Sequence, residues 1–113
     1  MDLECLTRSY VKFFDEKSLE KVGSLMSDNF ELSDGIVNGL TPKNEVLSYI
    51  AKLMELNSKI FRFEALNVLT GEDFTILEFK LYLDDSVLHG VDLIHWCDGL
   101  MVNMKAFLNQ ADF

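Results

Sequence analysis

The stretch Gly90-Val91-Asp92-Leu93-Ile94-His95-Trp96-Cys97-Asp98-Gly99-Leu100-Met101-Val102 decides the fold. An Asp-Gly pair between two apolar-rich runs is the signature of a two-residue β-hairpin, because glycine tolerates the positive φ that a primed turn demands. The spacing predicts strands over 87–97 and 100–108. Sorted by parity, Leu88, Gly90, Asp92, Ile94 and Trp96 share one face of the first, and Val87, His89, Val91, Leu93, His95 and Cys97 share the other. Both faces are largely apolar, which predicts a central strand covered on both sides.

Working outward, the period stays at two. A strand over 74–83 alternates Leu77, Phe79 and Leu81 with Glu78 and Lys80, and a further strand covers 60–69. In the last strand Leu100, Val102, Met104, Ala106 and Leu108 are expected to face inward. The turns Thr70-Gly71-Glu72-Asp73 and Asp84-Asp85-Ser86 are short, so neighbours should pair antiparallel. Before Ile60 the period becomes helical. Leu3, Leu6, Tyr10, Phe13 and Phe14 stripe a first helix to about Asp15. Ser18 is expected to cap a short second helix over 19–26, and Phe30 to Asp34 alternates as a brief edge strand. Thr41-Pro42 reads as an N-cap followed by a proline at the first helical position, opening a third helix with Val46, Leu47, Ile50, Leu53 and Met54 on its apolar face. Helices first and a meander after is the α+β pattern: three N-terminal helices packed on one face of a curved antiparallel sheet. A 13.0 kDa chain has material for one core, so residues 1–113 are read as a single domain.

Nineteen acidic residues against ten basic ones give a net charge of −9, the wrong sign for gripping phosphate backbones or anionic lipid with a basic face. Neither nucleic acid nor a membrane is expected as a partner. No apolar run approaches the roughly 18 residues of a membrane span. Met1-Asp2-Leu3-Glu4 shows no basic, apolar leader, so the expectation is a cytoplasmic protein with Cys5 and Cys97 as free thiols. Yet 49% of the residues are apolar and 12% aromatic, a large load for so small and acidic a chain. A lined cavity and a subunit interface would absorb it, and a homodimer through the sheet's outer face is expected. His89 and His95 fall on that outer face with no third convergent ligand, so no metal is expected. No Gly-rich phosphate loop, Gly-x-Ser-x-Gly elbow or Cys-His nucleophile pair is present, and no cofactor is expected.

Three polar residues stand out against the predicted core. Asp92 shares a face with Leu88, Ile94 and Trp96, where a carboxylate must be hydrogen-bonded or protonated with a raised pKa. Tyr10 offers a phenol from the apolar stripe of the first helix. Asp34 precedes a glycine at the end of the edge strand, a position typical of turn residues.

The order of helix, short helix, brief strand, capped helix and four-stranded meander resembles the nuclear transport factor 2-like superfamily, which includes the SnoaL-like polyketide cyclases and ketosteroid isomerase. The resemblance covers essentially the whole chain. It is carried by Ser9-Tyr10-Val11, by Leu25-Met26-Ser27-Asp28-Asn29-Phe30-Glu31-Leu32-Ser33-Asp34, and by the run from Gly90 to Val102. It implies a cone-shaped α+β barrel with an apolar pocket between helices and sheet. Similarity to the isomerase implies Asp34 as general base, with Tyr10 and a protonated Asp92 as two donors for an enolate oxygen. The implied pocket lining is Phe14, Met26, Phe30, Tyr49, Phe79, Ile94, Trp96 and Met104. The chain departs from the isomerase at Gly35, where a proline follows the base, and at Tyr49-Ile50, where an aromatic-tyrosine pair would stand. Gly90 stands where epoxide hydrolases of the superfamily need an arginine. The expected function is binding of a small hydrophobic carbonyl compound, with proton transfer beside the carbonyl. The alternative is a non-catalytic dimeric ligand-binding or protein-interaction module of the same fold.

Overall fold

The computed structural model describes residues 2–110. Three helices, α1 (Leu3–Asp15), α2 (Leu19–Ser24) and α3 (Lys43–Leu56), cover one face of a five-stranded sheet built from β1 (Met26–Ser33), β2 (Arg62–Thr70), β3 (Phe74–Tyr82), β4 (Val87–Cys97) and β5 (Leu100–Gln110). The strand order is β1-β5-β4-β3-β2, with β4 at the centre between β5 and β3. The sheet curves around the helices without closing, which gives the α+β cone its shape.

The meander over β2 to β5 is antiparallel throughout. Asp98 and Gly99 adopt φ of 52° and 81°, the left-handed pair that a type I′ hairpin requires. The first strand is longer than its alternating core suggested and joins parallel to β5, making the sheet mixed. A parallel neighbour needs a long crossover. Here α3 and the whole meander lie between the two strands in sequence, so the geometry follows from chain order.

Parity holds along β3 and β4, where Leu77, Phe79, Leu81, Asp92, Ile94 and Trp96 are all buried. It fails at the start of β5. A bulge opposite His95 and Trp96 inserts one residue, so Met101 rather than Leu100 turns inward and is fully buried. Beyond the bulge the expected set resumes, with Met104 opposite Ile94 and Ala106 opposite Asp92. Gly90 is a site of close approach: a Cβ there would lie 2.7 Å from the Phe79 ring and 2.8 Å from the Phe107 carbonyl oxygen.

The helix termini differ in detail from expectation. Asp2 caps α1 by accepting the Cys5 amide at 3.0 Å. Ser18 occupies the cap of α2 without a side-chain bond. The helix α3 starts at Lys43, with Pro42 as its cap residue, and the Thr41 hydroxyl instead donates to the Asn29 carbonyl at 3.2 Å. That bond ties the entry of α3 to β1. At the other end of the helical layer, Asp15 accepts the Phe63 amide at 2.8 Å and fixes the end of α1 over β2. The rings of Tyr10, Phe14, Phe63 and Phe79 then pack at centroid separations of 4.7 to 5.8 Å. Cys5 and Cys97 are exposed free thiols.

Candidate functional site

Between the helices and the inner sheet face lies a cavity of about 310 Å³. That is the lower end of the roughly 300–1,000 Å³ range of small-molecule pockets. Its walls come from α1, β1, α3 and the inner faces of β2 to β5, and nearly all of the lining is apolar. The exposed Ile36, Lys52, Leu56 and Leu108 belong to the same lining and mark the mouth.

Tyr10, Asp34 and Asp92 all face this one cavity. Asp92 is 3% exposed. Burial first, and the charge of Asp34 second, push its carboxyl up to about 8. No donor among the described residues reaches it, yet neither oxygen is sealed from open space. The carboxyl therefore opens onto the cavity and has its hydrogen-bonding capacity free. Parity put it there, and Ala106 opposite leaves it room on the β5 side.

Tyr10 is held at the base of the aromatic cluster by α1. Its hydroxyl lies 3.9 Å from the Met104 sulfur, a weak acceptor that leaves the phenol's donor capacity largely unused. Burial, followed by the proximity of Asp92, raises its pKa well above the usual tyrosine value. The phenol is thus a neutral donor.

Asp34 is engaged on both oxygens. Oδ1 accepts the amides of Ile36 and Val37, each at 2.9 Å, and so shapes the turn that follows β1. Oδ2 accepts the Tyr49 hydroxyl from α3 at 2.7 Å. Burial, that bond and the Asp34 charge together raise the tyrosine's pKa. The sequence pattern gave Asp34 either a turn role or a site role, and the side chain has a turn on one oxygen and the cavity on the other.

Of the expected lining, Phe14, Met26, Phe30, Tyr49, Phe79 and Met104 are on the cavity wall. Ile94 and Trp96 are not, and this corrects the expectation for both. They are buried on the inner face of β4 but outside the cavity lining, on the side where Thr75 of β3, paired with Ile94, meets Thr7 of α1. Trp96 donates its indole N–H to Thr75 Oγ1 at 2.9 Å. The Thr75 and Thr7 hydroxyls are 2.9 Å apart, and Thr7 lies 2.8 Å from the Leu3 carbonyl. One proton per hydroxyl makes this a single chain, from indole to Thr75 to Thr7 to the Leu3 carbonyl, which satisfies every buried polar group at that end.

Sequence reasoning missed Phe63, Leu81 and Leu88 as lining. It also missed Val46, Ile50 and Leu53, although these share the α3 face with Tyr49 at helical spacing. His89 and His95 are on the outer face, bonded to Glu78 at 2.7 Å and Asn103 at 3.1 Å. No group of three metal-ligating side chains occurs among the described residues. No helix among them is long and apolar enough to cross a membrane.

No family model and no curated protein matches the chain in sequence. Solved structures do match in fold. An NTF2-like protein of unknown function from Cytophaga hutchinsonii superposes with a TM-score of 0.84 at 8% identity, over 96% of this chain and 91% of its own. A SnoaL-like protein of unknown function from Burkholderia thailandensis gives 0.78 at 20% identity, covering 96% and 94%. A provisional ketosteroid isomerase from Kribbella flavida gives 0.80 at 17% identity, covering 96% and 78%. The chain has the NTF2-like α+β cone fold, shared with SnoaL-like and ketosteroid isomerase-like proteins.

Proposed function

We propose that the cavity binds a small hydrophobic carbonyl compound and moves a proton at the carbon beside the carbonyl. The observation that carries the reading is that Tyr10 and Asp92, two poorly satisfied neutral donors, share one apolar cavity with Asp34. Asp34 would take the proton from carbon, and the released electron pair would move onto the carbonyl oxygen. Tyr10 and protonated Asp92 would donate hydrogen bonds to that oxygen as its charge develops. Asp34 would then return the proton to carbon. The apolar walls exclude competing water and strengthen both hydrogen bonds.

The reading is tested by hydrogen–deuterium exchange at the α-carbon of hydrophobic cyclic ketones in D₂O, followed by NMR. Wild-type protein should accelerate exchange, and Asp92→Ala should lower that rate by about 10²–10³-fold, the cost of one oxyanion donor. Exchange no faster than in buffer across a panel of ketones that fit the cavity would overturn it.

A second reading, a non-catalytic ligand-binding module, is favoured by one observation. Asp34 already accepts three hydrogen bonds, so both of its oxygens are committed to protein donors. In that case ketones would bind without exchange, and Asp34→Asn would leave binding unchanged.

Either reading includes assembly as a homodimer through the outer sheet face. Supporting this, Leu69 lies opposite Ile76, Ile76 opposite Leu93, and Val91 opposite Phe107, an apolar band in which Leu69 and Phe107 are 63% and 61% exposed. Sedimentation at micromolar concentration should give twice the 13.0 kDa chain mass, and Phe107→Asp should shift it toward the monomer. A wild-type monomer under those conditions would contradict the interface.

A further inference from the structure

Three features of the cavity do not follow from a neutral carbonyl ligand alone. First, six aromatic side chains among the described residues line it: Tyr10, Phe14, Phe30, Tyr49, Phe63 and Phe79. Second, among the described residues its two carboxyl groups have no cationic counterpart in the interior. Lys52 is the only basic residue of that described lining, and it is an exposed residue of α3 at the mouth. Third, Asp92 is 3% exposed and its carboxyl faces the cavity with no hydrogen-bond partner among the described residues. Ring faces carry negative potential and attract cations, most strongly where water is excluded. A carboxyl among them, beside a second carboxyl, is the setting in which an organic ammonium group is better satisfied than in water.

We propose that this cavity is also a binding site for hydrophobic organic cations, with a substituted ammonium head paired to the Asp92 carboxylate and enclosed by the surrounding aromatic rings. The proposal rests on the same cavity as the functional reading and needs no turnover. The net charge of −9 favours approach of such a ligand, and an anionic ligand would meet two carboxyls.

Binding and protonation are then coupled. The titratable groups that share the cavity with Asp92 are Tyr10 from α1, Asp34 after β1, and Tyr49 and, at the mouth, Lys52 from α3, while among the described residues the lining from β2, β3 and β5 contributes no titratable side chain. Below the midpoint of about 8, a cation must displace the Asp92 proton to bind, so one proton is released per ligand.

Phenyltrimethylammonium and its neutral isostere tert-butylbenzene provide matched probes. Calorimetry or ligand-observed NMR on the full chain at pH 9 should show one cation bound per chain, at least about tenfold more tightly than the isostere, a gap of about 1.4 kcal/mol. At pH 6 the cation's affinity should fall by up to about 100-fold, and that of the isostere should hold. Asp92→Asn should abolish the preference. Equal affinity of the two probes at pH 9 would overturn the proposal, as would a preference that survives Asp92→Asn. The pH 9 comparison of the two probes is made on the wild-type protein, so it stands even if the Asp92→Asn variant fails to fold. Loss of cation preference with ketone exchange intact would sink this inference alone, and cation binding without exchange would sink the catalytic reading alone.

Discussion

Asp92→Asn is expected to make the protein more stable, by an amount that grows as the pH rises. In the folded chain the carboxyl titrates near 8, and in the unfolded chain near its ordinary value of 3.8. Between these values the folded state holds a proton that the unfolded state has released. Stability therefore falls as pH rises through this window, by about 1.4 kcal/mol per pH unit. Below 3.8 both states are protonated and the contribution is intact; above about 8 both are ionised and the loss is complete. Asparagine carries no charge at any pH, so its advantage over wild type should widen across the window to at most on the order of 5 kcal/mol. Burying the amide adds an offset that does not vary with pH. Urea denaturation of both proteins at pH 5 and pH 9 measures the change directly. A difference that is the same at both pH values would mean that Asp92 is ionised in the folded protein throughout.

The second large effect is on chemistry. Asp34→Asn should reduce ketone α-exchange by about 10²–10⁴-fold, the usual contribution of a positioned general base. The fold should survive, because the asparagine carbonyl can still accept the Ile36 and Val37 amides that Oδ1 accepts now. The Tyr49 hydroxyl bond at Oδ2 would be lost or reversed, at a cost of about 1 kcal/mol. Exchange that is fast in wild type and equally fast in Asp34→Asn would assign the base elsewhere. A folded variant with intact ketone binding and no exchange is the expected result.

Much of this was legible in the residues. Asp98-Gly99 fixed the β4–β5 hairpin through its φ requirement, and that hairpin set the parity that turned Asp92 inward. The helical spacing of Tyr10 and Phe14 brought both to the same wall. Other features depend on contacts that no local pattern encodes. The bulge in β5 reversed Met101 because one inserted residue flips every side chain before it. The parallel pairing of β1 with β5 is a long-range choice made by the crossover. Parity gives the face of Ile94 and Trp96 but not their depth along the strand. Depth decides whether a side chain meets the cavity or packs under α1 with Thr7 and Thr75. The Tyr49–Asp34 bond joins α3 to the end of β1, fifteen residues apart, and only the folded arrangement brings the two together.

The central claim is that Asp92 stays protonated at neutral pH because it faces an apolar cavity beside a charged Asp34. The most direct measurement is a titration of the ¹³C-labelled aspartate carboxyl carbons by NMR, in wild type and in Asp34→Asn. The account predicts that Asp92 titrates with a midpoint near 8 and that the midpoint moves downward when the Asp34 charge is removed. A midpoint near 3.8, or one indifferent to Asp34, would contradict it.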